Sequence, residues 1–408
     1  MTLEIRPCRD AAELSDYGRI VSYVFAENDP ASMTQELTTT QPDWTTCAFV
    51  DGRMASTLGV FPFTVRLNGV GVSMGGVTAV GTLPEHRRKG YLRHVMSEAL
   101  GTMRDRGQAY AILWASMGAI YQRFGYGLVT TKVTYSYDPR YVGFESGPEP
   151  RGSATMIPKD DAFATIKQLY VQSATPRNLH IHRSAPLWDV DTLRPRKKDE
   201  RVYVAVYNNE AGEARGYIVY GTAEMPNQPA PGPNQLMTVK DFIALDMDAY
   251  RGLWEYIRRH DLVGRVEMSG CMPEDDPAPD LLLEPRMLNR HTSDGIWMRV
   301  VDVERAVPQR PYGDRGELVV AVTGDDMCPW NNGSYLIETD GLTTAIGKTD
   351  RAPALTVSPN ALASLVAGHR SATHLHRAGR IEAASPQALR VADRLFRTEY
   401  APHCPNGF

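Results

Sequence analysis

The sequence predicts an α+β fold with mixed sheets, divided into three domains. Three observations carry this reading. Strand signals, one amphipathic helix and a buried strand follow one another before Asp138, the same order recurs after a Gly/Pro-rich stretch, and the pattern changes again near Gly295. A length of 408 residues agrees with it, since roughly 100–200 residues make one domain. The expected boundaries are 1–142, 143–294 and 295–408.

In the first segment, Cys47–Leu58 reads as two strands around Asp51-Gly52, a strong hairpin signal because both turn positions favour positive φ. Strands near Phe61–Leu67 and Val77–Val80 follow, then a turn at Pro84. Leu92, Val95, Met96, Ala99, Leu100 and Met103 recur at helical spacing and predict a helix with one face on the sheet. Gly107 ends that helix, Ala109–Ala115 reads as a buried strand, Met117–Arg123 as a short helix, and Leu128–Tyr135 as a returning strand.

Gly143–Asp160 is rich in Gly and Pro and reads as a linker. Beyond it come strands Tyr203–Tyr207, Gly216–Tyr220 and Lys240–Leu245, a helix over Tyr250–His260 and a strand Val263–Met268. Met225–Asn234 and Met272–Pro285 read as long surface loops. The third segment offers strands Leu318–Val322, Ser334–Ile337 and Leu342–Ile346, with helices Pro359–Val366 and Pro386–Phe396.

Composition narrows the function. Apolar residues at 42% and charged residues at 23% fit a soluble globular chain. A net charge of −4 offers no basic stripe for phosphates, which argues against nucleic acid and suits cationic ligands. Five scattered cysteines without a C-x-x-C pair suggest free thiols in a reducing, cytoplasmic setting. The start lacks an apolar signal region and no stretch approaches the ~18 apolar residues of a span, so no membrane association is expected.

The sharpest chemical signal is His86-Arg87-Arg88-Lys89-Gly90-Tyr91-Leu92, set between the strand Val77–Thr82 and the amphipathic helix. Backbone N–H groups converge at such a helix start, and a glycine lets the main chain approach a pyrophosphate. An isolated Arg-x-x-Gly is usually an ordinary basic helix start. Here the strand–loop–helix setting changes the reading. The segment resembles the coenzyme A loop, Arg-x-x-Gly-x-(Gly/Ala), of the GCN5-related N-acetyltransferase (GNAT) superfamily. Leu92 replaces the usual final small residue, and the resulting Arg-Arg-x-Gly-x-Leu resembles the cradle of the Eis (enhanced intracellular survival) family.

That resemblance, together with the segment Ser116–Gly127, the duplicated arrangement and the terminal domain, covers most of the chain. It implies two fused GNAT domains, the second degenerate, and a C-terminal domain resembling sterol carrier proteins. It implies acetyl-CoA as cosubstrate, bound by Val80, Gly81 and Thr82 along the pantetheine arm, by Arg87, Arg88, Lys89, Gly90, Tyr91, Leu92 and Arg93 at the pyrophosphate, and by Ser116; no metal is expected, given the histidine spacing. It implies Tyr121 as the acid that protonates the leaving thiolate, and the α-carboxylate of Phe408 as the base. Cationic multi-amine substrates such as aminoglycosides and a homohexamer are implied likewise.

A phenol of ordinary pKa about 10 is a competent acid toward a thiolate whose conjugate acid lies near 8.5. An α-carboxylate of ordinary pKa about 3.5 needs burial or a water relay to serve as a base. Tyr126 is the rival acid, though more readily read as a wall residue. Gly407 stands where relatives carry an acidic residue, and Glu27, Glu36 and Asp43 are the candidates to supply that charge. Asp248-Ala-Tyr-Arg251-Gly252-Leu253, the counterpart of the cradle, lacks phosphate-loop spacing. The His180/His182 and His374/His376 pairs lack acidic or Cys partners at ligand spacing, and Trp330-Asn331-Asn332-Gly333 reads as a structural turn. The rival functions are acetylation of lysine, peptide or polyamine amines, and a non-catalytic acyl-CoA or lipid-binding protein.

Overall fold

Two dipeptides at which φ turns positive shape the start of the chain: Asp51-Gly52 (φ 48° and 80°) and Asn68-Gly69 (φ 49° and 83°). The first is the predicted hairpin turn. The second joins two strands far longer than expected, so that Arg53–Leu67 and Val70–Thr82 run as one ribbon. The computed structural model describes residues 2–26, 40–195, 201–225 and 232–408. They fall into two units, Met1–Val129 with Ile296–Glu399 and Phe408, and Thr130–Gly295 with Tyr400–Gly407.

The first unit contains a mixed seven-stranded sheet. Its strands are β1 (Leu3–Arg6), β2 (Cys47–Val50), β3 (Arg53–Leu67), β4 (Val70–Thr82), β5 (Tyr110–Trp114) and β6 (Gly127–Leu128), with Ile296–Val300 inserted between β5 and β6. Only β4 and β5 pair in parallel, and helix α2 (Tyr91–Asp105) crosses between them, while α1 (Ala11–Phe25) follows β1. The predicted stripe of α2 is buried from Val95 to Met103, against Ala48, Leu58, Val77 and Leu113 among others. Ile296–Val300 is buried along its whole length, as a strand with neighbours on both edges should be. A boundary at residue 295 assigned it to the third domain, yet it completes the first sheet.

The same unit holds a five-stranded sheet with Gly316–Val322 at its centre, between Gly333–Thr339 and Leu355–Val357. Helices Pro359–Val366 and Pro386–Phe396 start and stop as predicted, each with a serine cap, Ser358 and Ser385, accepting from the backbone three residues on. Trp330 donates from Nε1 to the Val301 carbonyl at 2.9 Å, under the Arg104 guanidinium, a structural role for that turn.

The second unit is built on another mixed seven-stranded sheet, in the order His291–Asp294, Thr131–Tyr137, Val263–Ser269, Gln235–Ala244, Ala214–Glu224, Arg201–Asn208, Ser153–Ile157. Its one parallel pair, Gln235–Ala244 with Val263–Ser269, repeats the logic of the first sheet, with helix Met247–Arg258 as the crossover. Two expectations fail here. Ser153–Ile157, read as linker, is an edge strand paired with Arg201–Asn208, because the Gly and Pro residues flank it and do not interrupt it. Leu128–Tyr135, read as one strand, is two, ending at Leu128 and resuming at Thr131 in a different sheet.

Residues 400–407 are held within the second unit. Asn406 accepts from Arg183 Nε at 3.1 Å and donates to Asp191 Oδ2 at 2.7 Å, and the Gly407 N–H donates to Asp191 Oδ1 at 3.2 Å. Arg183 in turn pairs with fully buried Asp241. Chain ends usually fray, and this one is pinned. No described helix is long and apolar enough to cross a membrane.

Candidate active site

The site begins with a strand that bends. Between Thr57–Gly81 and Gly59–Thr78 the β3–β4 register slips, so that Ala79 and Val80 both face Leu58. Ala79 takes φ +51°, a left-handed conformation that costs an L-residue energy and marks a bulge. Two hydroxyls from β3 hold the bent segment: Thr57 donates to the Ala79 carbonyl and Ser56 to the Gly81 carbonyl, each at 2.8 Å.

The ladder between β4 and β5 runs only through Met74–Tyr110, Gly75–Ala111 and Gly76–Ile112, although β4 continues to Thr82. Beyond Gly76 the two parallel strands part. Val80, Gly81 and Thr82 lie on this separated end, where peptide groups on the β5-facing edge can pair with an extended amide-bearing ligand instead of a strand.

At the tip of β4 the predicted cradle follows directly. Arg87 donates from Nε to the Thr82 carbonyl at 3.1 Å, tying the loop to the strand end. Arg88 (φ +62°) and Gly90 (φ +83°) are both left-handed, which curls the loop before α2 starts. Gly90 is the N-cap of α2 and no side chain caps that end. A β-carbon built on Gly90 would face open space, with only His94 Cε1 at 4.0 Å. Arg87, Arg88, Lys89 and Arg93 are exposed around it, while Tyr91 is buried and Leu92 packs on the core. An uncapped helix start with four exposed cations within three residues of Gly90 has the charge and N–H groups that suit a polyanion.

The counterpart in the second unit is closed. Helix Met247–Arg258 is capped by the Asp246 carboxylate, which accepts from the Ala249 N–H at 2.8 Å, so negative charge already occupies its start. Arg251 donates to the Ser146 carbonyl, and a β-carbon on Gly252 would lie 2.0 Å from the Tyr207 ring. That glycine serves packing.

Tyr121 sits on the short helix α3 (Gly118–Gln122) and is buried, whereas Ser116 is exposed. Burial pushes the Tyr121 phenol above its ordinary value, and a side-chain hydrogen bond with Ser116 opposes this. Tyr126, 6.1 Å away ring to ring, is fully buried, and its hydroxyl meets the Met96 sulfur at 3.9 Å. That is the setting of a wall residue.

Phe408 belongs to the first unit. Its half-buried ring meets Phe63 edge-on with centroids 4.9 Å apart, and a β-carbon on Gly76 would lie 3.3 Å from it. The chain end therefore sits over the last β4 residue that pairs with β5. Phe63 and Gly76 were not singled out from the sequence, where Gly75-Gly76 inside a strand was the available signal. Phe63, Phe61 and Trp44 continue as an aromatic file at 5.9 Å spacings. Asp43 is exposed, 3.7 Å from Arg106, and Glu27 and Glu36 lie outside the described residues. His180 is buried against His403, with ring centroids 5.4 Å apart, and His182 is exposed, so that pair does not converge.

Parallel strands that part beside an uncapped helix start are the arrangement of the GCN5-related N-acetyltransferase class. Residues 4–129 and 179–300 each match an acetyltransferase (GNAT) domain family, and residues 303–405 match a sterol carrier protein domain family. An uncharacterized N-acetyltransferase of Streptomyces avermitilis is 30% identical over 86% of this chain and 86% of its own. The N-acetyltransferase Eis of Mycobacterium tuberculosis is 26% identical over 79% of this chain and 78% of its own. The crystal structure of Eis1 from Mycobacterium abscessus superposes with a TM-score of 0.85 at 27% identity, covering 99% of this chain and all of that one. This chain belongs to the Eis family of GCN5-related N-acetyltransferases, enzymes whose GNAT domains use acetyl-CoA as cosubstrate.

Proposed function

We propose that the chain transfers the acetyl group of acetyl-CoA to amines of cationic multi-amine substrates, aminoglycosides among them, at a site in its first GNAT domain. The observation that carries this reading is the meeting of three features at one strand: the β4–β5 fork opening after Gly76, the Gly90 cradle at the tip of β4, and the chain end lying over Gly76.

The peptide edge of Val80–Thr82 aligns the pantetheine arm, and the N–H groups and cations from Arg87 to Arg93 hold the pyrophosphate. The ammonium group first gives up a proton to solvent; the lone pair of the neutral amine then forms the new N–C bond as the C–S bond breaks, and the nitrogen passes its second proton to the Phe408 carboxylate. The electron pair of the C–S bond goes to sulfur, which takes its proton from Tyr121. N-acetylated amine and coenzyme A thiol leave, and solvent restores both protein groups. Burial favours the protonated phenol, which is the form an acid needs.

The cationic substrate is supported by the net charge of −4 and by the file Trp44, Phe61, Phe63 and Phe408, whose ring faces attract ammonium groups. The homohexamer is part of the same proposal and is supported by the family alone. Comparing kcat/KM for aminoglycosides, polyamines and lysine peptides, followed by thiol release, tests the substrate class. Preference for aminoglycosides supports it, and equal or better turnover of lysine peptides overturns it.

A further inference from the structure

Tyr121 lies on a five-residue helix, too short to hold its own place in water. Three carbonyls in the turn that follows it are held from outside. Asn360, near the start of helix Pro359–Val366, donates from Nδ2 to the Gln122 carbonyl at 2.9 Å and to the Tyr126 carbonyl at 2.7 Å. Arg299, in the inserted strand Ile296–Val300, donates from Nη1 to the Phe124 carbonyl at 2.5 Å. Its Nη2 pairs with Asp325, and both side chains are about fully buried, at 0% and 1% exposure. Asp325 is itself fixed by the Cys328 N–H at 2.9 Å and Asn331 Nδ2 at 3.1 Å.

Side chains in place of the glycines flanking Tyr126 would collide with the residues that make these contacts. Gly125 turns at φ +80°, and a β-carbon there would lie 1.6 Å from Arg299 Nη1. A β-carbon on Gly127 would lie 2.1 Å from the Asn360 carbonyl oxygen, a backbone atom that cannot step aside. Glycine at both positions leaves room for two distant residues to reach the main chain of this segment.

We propose that Asn360 and Arg299 are positioning residues for Tyr121, and that the sterol-carrier-like domain sets the acid's place in the first GNAT domain through Asn360 directly and through the hold of Asp325 on Arg299. This rests on the reading of Tyr121 as the acid. Arg299 is the poorer probe, because replacing it leaves Asp325 buried without its counter-charge. Asn360 is neutral, and its loss frees only two acceptors.

The test measures kcat, amine KM and acetyl-CoA affinity for Asn360→Ala and Asn360→Asp, each alone and combined with Tyr121→Phe. Asn360→Ala is expected to lower kcat about 10- to 100-fold, the scale of a misplaced catalytic group. Amine KM and acetyl-CoA affinity stay unchanged. In the Tyr121→Phe background the same substitution is expected to change kcat by less than about 2-fold, because the group it positions is gone. Equal losses in both backgrounds, or no loss at all, overturn the inference and leave the acid in place. Full kcat in Tyr121→Phe alone removes the acid and the inference together. If Asn360→Ala loses its melting transition, Asn360→Asp, nearly the same size but with no donor, carries the comparison. Loss of folding in both makes Asn360 structural and overturns the inference.

Discussion

The terminal ring of Phe408 packs edge-on against Phe63 of β3, 4.9 Å between centroids. An edge-to-face pair of this kind contributes roughly 0.5–1.5 kcal/mol beyond the area it buries. Residues 400–407 are hydrogen-bonded and largely buried within the second unit, and the pair holds the Phe408 ring within the first. A carboxylate on an unfixed terminus could not act as a base. Here its own residue is anchored at the fork.

Gly90→Asp should abolish the stabilisation by acetyl-CoA. The left-handed backbone at φ +83° strains any L-residue, and the new carboxylate faces the same N–H groups as the phosphates. For the wild-type chain at a ligand concentration of 100 Kd the stabilisation is about 2.7 kcal/mol. Melting with and without acetyl-CoA measures this, and an undiminished shift in the variant refutes the cradle. Calorimetry should return one site per chain, because Asp246 closes the other helix start.

Tyr121→Phe should lower kcat by roughly 10²–10⁴ with cofactor affinity nearly unchanged. An acid works only while protonated, so kcat falls as pH rises through its pKa. Burial moves that point above the ordinary tyrosine value. The Ser116 hydrogen bond pulls it down, so Ser116→Ala should shift the alkaline limb to still higher pH. The pH profile at saturating substrate checks both, and a limb that survives in Tyr121→Phe belongs to another group.

His369 should make the protein acid-sensitive. Burial pushes its pKa down to about 3, and neither ring nitrogen has a hydrogen-bond partner among the described residues. The unfolded chain, with histidine near 6.5, binds the proton more readily. Stability is therefore full above pH 6.5 and is lost as pH falls toward about 3, by about 2 kcal/mol at pH 5. His369→Leu removes the titration without breaking a hydrogen bond. Its loss of melting temperature between pH 7 and pH 5 should be smaller than that of the wild-type chain, and an equal loss assigns the acid sensitivity elsewhere.

Local signals were legible where one residue pattern decides one element. The stripe Leu92–Met103 became α2, Asp51-Gly52 became a turn, and Ser358 and Ser385 open their helices as caps do. What sequence spacing could not supply was pairing between distant segments. Ile296–Val300 enters the first sheet beside β5, and nothing in its own residues names that neighbour. Helix Lys159–Ala174 was missed because the Pro-rich stretch before it masked its start. In the candidate site, the strand–loop–helix geometry around Gly90 was readable because loop and helix are contiguous. The Phe63–Phe408 pair and the Asn360 and Arg299 contacts join residues far apart in the chain, and only the two glycines around Tyr126 hinted at close approach.

The most direct test of the account concerns the chain end, measured as kcat for aminoglycoside acetylation together with acetyl-CoA affinity. Deleting Phe408 moves the carboxylate back by one residue, about 3.5 Å, and removes the ring that meets Phe63. Extending the chain past Phe408 keeps the ring but converts the carboxylate to a neutral amide. Both changes should cost at least ~100-fold in kcat while acetyl-CoA still binds. Full kcat in the extended chain would contradict the account, because proton removal would then belong to water or an acidic side chain and not to the C-terminus.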